Sequence, residues 1–150
     1  MPPDWQPDLL NLGRLVIAML LGGVIGLERE AAHRPAGLRT HMLVGGSAAL
    51  LVAVGNALFE RYLARGDVVS DPLRLIEAII VGISFLGAGT IFRNRAAAGA
   101  PVEGLTTAAS ILYTTVVGVA VAIDEFVLAA GATLLALVVN LGLRNISKRI

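Results

Sequence analysis

The chain is dominated by five apolar stretches, each long enough to cross a lipid bilayer. A transmembrane helix needs about 20 mostly apolar residues at a rise of about 1.5 Å per residue. Such stretches run over residues 9–27, 42–59, 73–92, 104–123 and 126–143 of this 150-residue chain. The second, fourth and fifth contain no charged residue. We therefore expect an all-α polytopic membrane protein, a single domain built as a bundle of five transmembrane helices in the lipid bilayer.

The composition excludes several other classes of protein. Only 15% of the residues are charged, against roughly 25% in soluble domains, and the mean hydropathy is +0.79. These two values argue against a water-soluble fold. A net charge of +1 provides no basic field for nucleic acid. Catalytic motifs such as GxSxG, HExxH and Walker A are absent, and neither Ser84 nor Ser110 has an evident histidine partner at its depth. We expect no enzymatic activity.

The basic residues predict the orientation of the chain. No basic residue precedes the first apolar stretch, which is the wrong flank for a cleaved signal peptide, so this span is expected to be retained. Lys and Arg are commoner in cytoplasmic loops than in outside loops. This rule places the amino terminus outside and the carboxyl terminus in the cytoplasm. The cytoplasmic set is Arg29, Arg34, Arg39, Arg93, Arg95, Arg144, Lys148 and Arg149, and the outer set is Arg14, Arg61, Arg65 and Arg74.

Four of the stretches carry small residues at every fourth position, which predicts close approach of helix backbones in lipid. The rows are Ala18, Gly22, Gly26; Gly45, Ala49, Ala53, Ala57; Ser110, Thr114, Gly118, Ala122; and Ala132, Ala136, Asn140. In the third stretch, Gly82, Gly87 and Gly89 either let the helix bend or unwind, as in transporters, or only permit close packing.

Polar residues gather at the ends of the spans that face the cytoplasm in this topology, so we expect them to meet in one cluster. The cluster residues are Glu28, Arg29, Glu30, Arg39, Thr40, His41, Thr90, Arg93, Glu103, Thr106 and Thr107. One interpretation is a wet flank in which arginines are neutralised by glutamates or contact anionic headgroups. The other interpretation is a binding site formed by these residues, which we call a built site. We read His33 and His41 as interfacial residues and not as metal ligands.

A built site would suit Mg²⁺, which prefers hard oxygen ligands such as carboxylates, hydroxyls and carbonyls. The candidate ligands are Glu28, Glu30 and Glu103, while Arg39 and Arg93 would bind phosphate or hold the carboxylates. Residues two apart do not share a helix face, so Glu28 and Glu30 are not expected to form a binuclear pair.

Glu77 is a separate candidate because an acid inside a span is expensive and often functional. Arg74 lies three residues earlier and can pair with it. A structural ion pair and an ion or proton relay both fit this spacing. The 16 residues to Arg93 correspond to about 24 Å of helix, so Glu77 and the cluster would be separate sites.

Four segments together resemble the membrane domain of the MgtC/SapB family. They are GLERE at Gly26–Glu30, AGLRTHMLV at Ala36–Val44, FLGAGTI at Phe85–Ile91 and GLTTAAS at Gly104–Ser110. The resemblance implies a bacterial inner-membrane protein of five helices, with a periplasmic amino terminus in the orientation given above. It also implies a link to magnesium homeostasis, to survival in low magnesium and, in some pathogens, to virulence.

The resemblance further implies a non-catalytic role, in which the protein binds a membrane protein partner such as a subunit of ATP synthase. Apart from the resemblance, a homo-oligomer is the other partner that we consider. A divalent-cation transporter or channel is the alternative. Many members of this family continue into a cytoplasmic domain, whereas this sequence stops at Ile150. We therefore expect functions housed in that domain to be missing.

Overall fold

The computed structural model describes residues 5–63, 71–94 and 103–147, and for 92–94 and 143–147 it describes the backbone alone. The described residues form five helices: α1 (Gln6–Ala31), α2 (Leu38–Leu63), α3 (Pro72–Asn94), α4 (Leu105–Ala122) and α5 (Phe126–Ser147). The predicted all-α, five-helix fold is confirmed. Four helices, α1 to α4, are long and apolar enough to cross a membrane, and α5 is apolar over Phe126–Gly142, the part whose side chains are described.

Four of the helices, α1, α2, α3 and α5, extend beyond the apolar stretches that predicted them. α1 ends at Ala31, four residues after the expected boundary, and α2 begins at Leu38, four residues before it. Hydropathy marks where charges begin, but a helix continues through charged residues when its backbone bonds and packing remain favourable. Several polar candidates, including Glu28 and His41, therefore lie in helices and not in loops.

Helix α4 occupies the centre of the bundle and contacts all four other helices. In the most apolar 18 residues of α4, 61% of the residues are buried, against 11% in the corresponding stretch of α3. Its inward residues include Ile111, Val117 and Val121, each no more than 2% exposed. The outward faces of α3 and α5 carry large apolar side chains such as Phe85 and Val127, as expected for surfaces that lie in lipid.

Helices α1, α2 and α4 pack backbone to backbone through glycines. A Cβ atom added to Gly118 would collide with the carbonyl oxygen of Gly45, and one added to Gly45 would lie 2.8 Å from the carbonyl oxygen of Ala18. A Cβ on Gly22 would collide with the carbonyl oxygen of His41. Only a hydrogen atom fits at these positions. Lipid supplies no hydrophobic driving force for helix association, so van der Waals contact between the backbones stabilises the bundle instead.

The predicted small-residue rows face inward where α1, α2 and α4 meet. All of the row on α4, from Ser110 to Ala122, is buried, whereas the row on α2 becomes exposed at Ala57. Helix α3 is continuous, so its glycines do not unwind it. Gly87 packs on Ala108, which matches the close-packing interpretation, while Gly82 and Gly89 have open space around them.

The turn between α4 and α5 is tied to the start of α1. Asp124 adopts a left-handed conformation with φ of 65°, and the amides of Asp124 and Glu125 bond to the carbonyls of Val121 and Ala120, which is a Schellman ending. The Asp124 carboxylate accepts two hydrogen bonds from Arg14, at 2.7 and 2.6 Å. We call this end of the bundle the Asp124 end and the opposite one, where α1 joins α2, the Glu28 end.

Two substitutions at Asp124 should separate the ion pair from the backbone requirement. Asp124→Asn removes the charge but tolerates the left-handed conformation, so we expect a loss below about 1 kcal/mol, since the pair is solvent-exposed. Asp124→Ala adds roughly 1 kcal/mol for the unfavourable φ. Thermal unfolding in detergent measures both, and equal losses would contradict the assignment of a backbone term to this residue.

Candidate functional site

At the Glu28 end, the carboxylate of Glu30 in α1 caps the start of α2. Glu30 Oε2 accepts the backbone N–H of Leu38 at 2.8 Å, which satisfies one of the free amides that begin α2. A Cβ on Gly37 would lie 2.7 Å from this oxygen, so a larger residue there would displace the end of the Glu30 side chain. On the α1 side, His33 is left-handed with φ of 55° and ends the helix.

Glu28 and Arg29, in the last turns of α1, form a buried ion pair. Arg29 Nε donates to Glu28 Oε2 at 2.6 Å, and the two side chains are only 4% and 5% exposed. Glu28 Oε1 is buried and accepts no hydrogen bond. The guanidinium neutralises the carboxylate, which is what allows both groups to leave water.

His41 connects α2 to α4 beneath this ion pair. Its side chain is fully buried, its Nδ1 donates to the Gly37 carbonyl at 3.0 Å, and its Nε2 lies 3.2 Å from Ser110 Oγ. Ser110 in turn donates to the Thr107 carbonyl at 2.9 Å. We define the buried polar cluster as Glu28, Arg29, His41, Thr107 and Ser110.

Two sequence expectations were wrong at this point. His41 is not interfacial, and Ser110 does have a histidine partner. The error arose because the two residues are 69 positions apart and meet only when α2 packs on α4. The pair does not form a catalytic triad, since Nδ1 of His41 faces a backbone carbonyl where a triad has a carboxylate.

The remaining predicted residues divide among different surfaces of the Glu28 end. Thr40 and Thr90 line one cavity of about 270 Å³ with Val44 and Leu86, and Thr90 donates to the Gly87 carbonyl. Thr106 lies on the other side, in a cavity of about 220 Å³ between α4 and α5.

The charged candidates do not all join the buried polar cluster. Arg39 and Glu103 are exposed. The side chain of Arg93 lies outside the described residues, as do Arg65, Arg95, Lys148 and Arg149 and the side chain of Arg144. The predicted single cluster is therefore a buried polar cluster surrounded by separate exposed groups.

The three candidate metal ligands differ in their surroundings and do not form one site. Glu28 pairs with Arg29, Glu30 caps α2, and Glu103 is exposed beside Gly104. The described part of the chain brings together no group of three or more His, Asp or Glu side chains that could hold a metal ion. Coordination of Mg²⁺ stays a prediction.

Glu77 and Arg74 are both exposed on α3. The ion pairs formed within the described ranges, Arg14–Asp124 and Glu28–Arg29, do not include these two residues. The structural ion pair that the sequence spacing allowed is therefore not formed. Glu77 lies on the half of α3 nearer the Asp124 end, away from the buried polar cluster, as predicted.

Substitution of Glu30 distinguishes a helix cap from a metal ligand. Glu30→Ala removes the acceptor of the Leu38 amide and should cost about 1 kcal/mol of stability. Glu30→Gln keeps an acceptor oxygen and should cost less than half of that. Thermal unfolding in detergent, with and without Mg²⁺, checks this. A Mg²⁺-dependent loss in Glu30→Gln would show that the carboxylate charge, not the cap, is what matters.

Comparison with known proteins identifies relatives over the whole bundle. The MgtC family model matches residues 15–149. "Protein MgtC" of Brucella abortus is 41% identical over 140 residues, covering 93% of this chain and 54% of that protein. "Protein MgtC" of Salmonella typhimurium is 38% identical over 144 residues, with coverage of 96% and 55%.

A further relative, "Putative magnesium transporter YhiD" of Escherichia coli, is 38% identical over 109 residues, covering 72% of this chain and 48% of that protein. No solved structure matches the chain significantly. The chain spans about half the length of the curated relatives it matches. The family model and these relatives cover the helices that build the buried polar cluster, and the chain belongs to the MgtC family.

Proposed function

We propose that this protein is a non-catalytic component of the bacterial inner membrane that supports magnesium homeostasis by modulating another membrane complex. Membership of the MgtC family supports the link to magnesium. The distribution of basic residues supports a periplasmic amino terminus and a cytoplasmic carboxyl terminus, so the Glu28 end would face the cytoplasm.

The observation that carries this proposal is the internal neutralisation of the buried polar cluster. Arg29 compensates the charge of Glu28, His41 Nδ1 donates to the Gly37 carbonyl, and Ser110 Oγ lies between the Thr107 carbonyl and His41 Nε2. A cation site needs uncompensated oxygen ligands. These groups are therefore better suited to holding α1, α2 and α4 together than to binding and carrying an ion.

The same geometry supports the proposal that the protein is not a catalyst. The His41 side chain is fully buried and Ser110 is 8% exposed, so the described helices leave these residues little access to a substrate. A nucleophile must be reachable by the bond that it attacks. We therefore assign the His41–Ser110 contact to packing.

The proposed partner is an integral membrane protein, and a membrane subunit of ATP synthase is the candidate that the family resemblance suggests. Copurification from native membranes in mild detergent tests this. A stoichiometric membrane protein should be recovered with the tagged chain at native expression level. Recovery of a homo-oligomer alone, at every expression level, would contradict the proposal.

The second candidate is a small divalent-cation transporter, which is favoured by Glu28 Oε1, a buried carboxylate oxygen with no donor. Flux of Mg²⁺ into liposomes that contain the purified chain, under gradients of either direction, decides between the two. Flux above protein-free liposomes that is lost in Glu28→Gln would support transport. Rates equal to the control would exclude it.

A further inference from the structure

A groove runs between α2 and α3 along most of the bundle, and α4 forms its floor. Three cavities follow one another along it, of about 510, 150 and 270 Å³ from the Asp124 end to the Glu28 end. The floor residues Ile111, Thr115, Val119 and Ile123 lie four apart on one face of α4. The groove exists because α2 and α3 make few direct contacts.

The largest cavity has an apolar body and a charged mouth. Its walls include Val52, Phe59 and Ile76, and its polar lining includes Asp71 and Arg74 from the first turn of α3. The middle cavity continues the apolar path past Gly82, where an added Cβ would meet no atom of another element within 4 Å. The two cavities together combine a charged mouth with an extended apolar groove.

The two charges at this mouth are of opposite sign and do not neutralise each other. Asp71 Oδ1 accepts the Leu73 amide at 2.9 Å and so begins α3. No ion pair joins Asp71 to Arg74 within the described ranges, and both are exposed. Among the described residues, neither the Arg74 guanidinium nor Asp71 Oδ2 has an ion-pair partner, so the two groups can contact a ligand that carries an anion and a cation.

We propose that this cavity binds the head of a zwitterionic aminophospholipid, phosphatidylethanolamine. Arg74 contacts the phosphate, Asp71 accepts hydrogen bonds from the ammonium group, and one acyl chain lies in the groove toward Gly82. Arginine and phosphate form strong charge-assisted hydrogen bonds. A trimethylated head group has no N–H to donate to the carboxylate, so phosphatidylcholine should bind more weakly. This inference is independent of the proposed function.

Native mass spectrometry of the full chain in detergent tests the proposal, with phosphatidylethanolamine, phosphatidylcholine and phosphatidylglycerol of identical acyl chains as probes. The wild type should retain phosphatidylethanolamine about tenfold more strongly than either other lipid. Asp71→Asn should remove this preference, whereas Arg74→Gln should weaken the retention of all three lipids, since each of them carries the phosphate. Asn is as good a helix cap as Asp, so α3 should still form.

Arg61→Gln is the matched control, because Arg61 is exposed at the end of α2 and does not line the cavity. It should retain the preference, as should Arg74→Lys, which keeps the charge. Equal retention of the three lipids by the wild type would overturn the proposal. A preference for phosphatidylglycerol, or equal losses in Arg61→Gln and Arg74→Gln, would also overturn it.

Discussion

Gly118→Ala is expected to disrupt the packing of α1, α2 and α4. The new Cβ would collide with the backbone carbonyl oxygen of Gly45, and Gly45 itself lies against the Ala18 carbonyl. A backbone cannot move aside as a flexible side chain does, so three helices must separate together. We expect a loss of about 3 kcal/mol, measured as a lower unfolding temperature and a poorer size-exclusion profile in mild detergent.

Gly131→Ala is the matched control for this experiment. Gly131 lies within α5 and has no neighbouring atom within 4 Å of an added Cβ. The same chemical change should therefore alter stability by no more than about 0.5 kcal/mol. Similar behaviour of the two variants would mean that the backbone contact between α2 and α4 does not limit the stability of the bundle.

Arg29→Met should destabilise the protein by about 3 to 5 kcal/mol, because it leaves the buried Glu28 carboxylate without its compensating charge. Methionine retains much of the buried volume, so the loss reports mainly on the charge. Both side chains are nearly inaccessible to solvent, and water cannot replace the guanidinium. Thermal unfolding and the yield of folded protein from membranes measure the effect.

The double variant Glu28→Gln, Arg29→Met should recover part of the lost stability, since a neutral amide is cheaper to bury than a lone carboxylate. Arg34→Met, at an exposed position just after α1, serves as the control and should change stability little. If the double variant were no more stable than Arg29→Met, mutual neutralisation would not be the reason for this pair.

The predictions for Gly118→Ala and Arg29→Met both concern the packing of α1, α2 and α4. Gly22 and Gly26 bring α1 against α2, and the buried polar cluster lies directly beyond them, at the Glu28 end. Polar groups buried in a bundle constrain how its helices pack because each must keep its partner. The glycine contacts set the distance between the helices, and the cluster fixes their rotation and register.

Hydropathy alone determined that the chain forms apolar helices and where most of each helix lies. Small residues at every fourth position also identified the inward faces of α1 and α4 correctly. Both properties are local, since burial in lipid and close backbone approach depend on residue type and on helical spacing. The Glu28 end was likewise recognised as the place where polar residues gather.

The tertiary structure alone decided which of these polar residues touch. Nothing in the sequence joins His41 to Ser110, Arg14 to Asp124 or Tyr113 to the Ala132 carbonyl, although each pair forms a hydrogen bond or an ion pair. Such contacts depend on how each helix is rotated about its axis and shifted along it. Those two variables are fixed jointly by all neighbouring helices, so the local sequence of any one helix does not contain them.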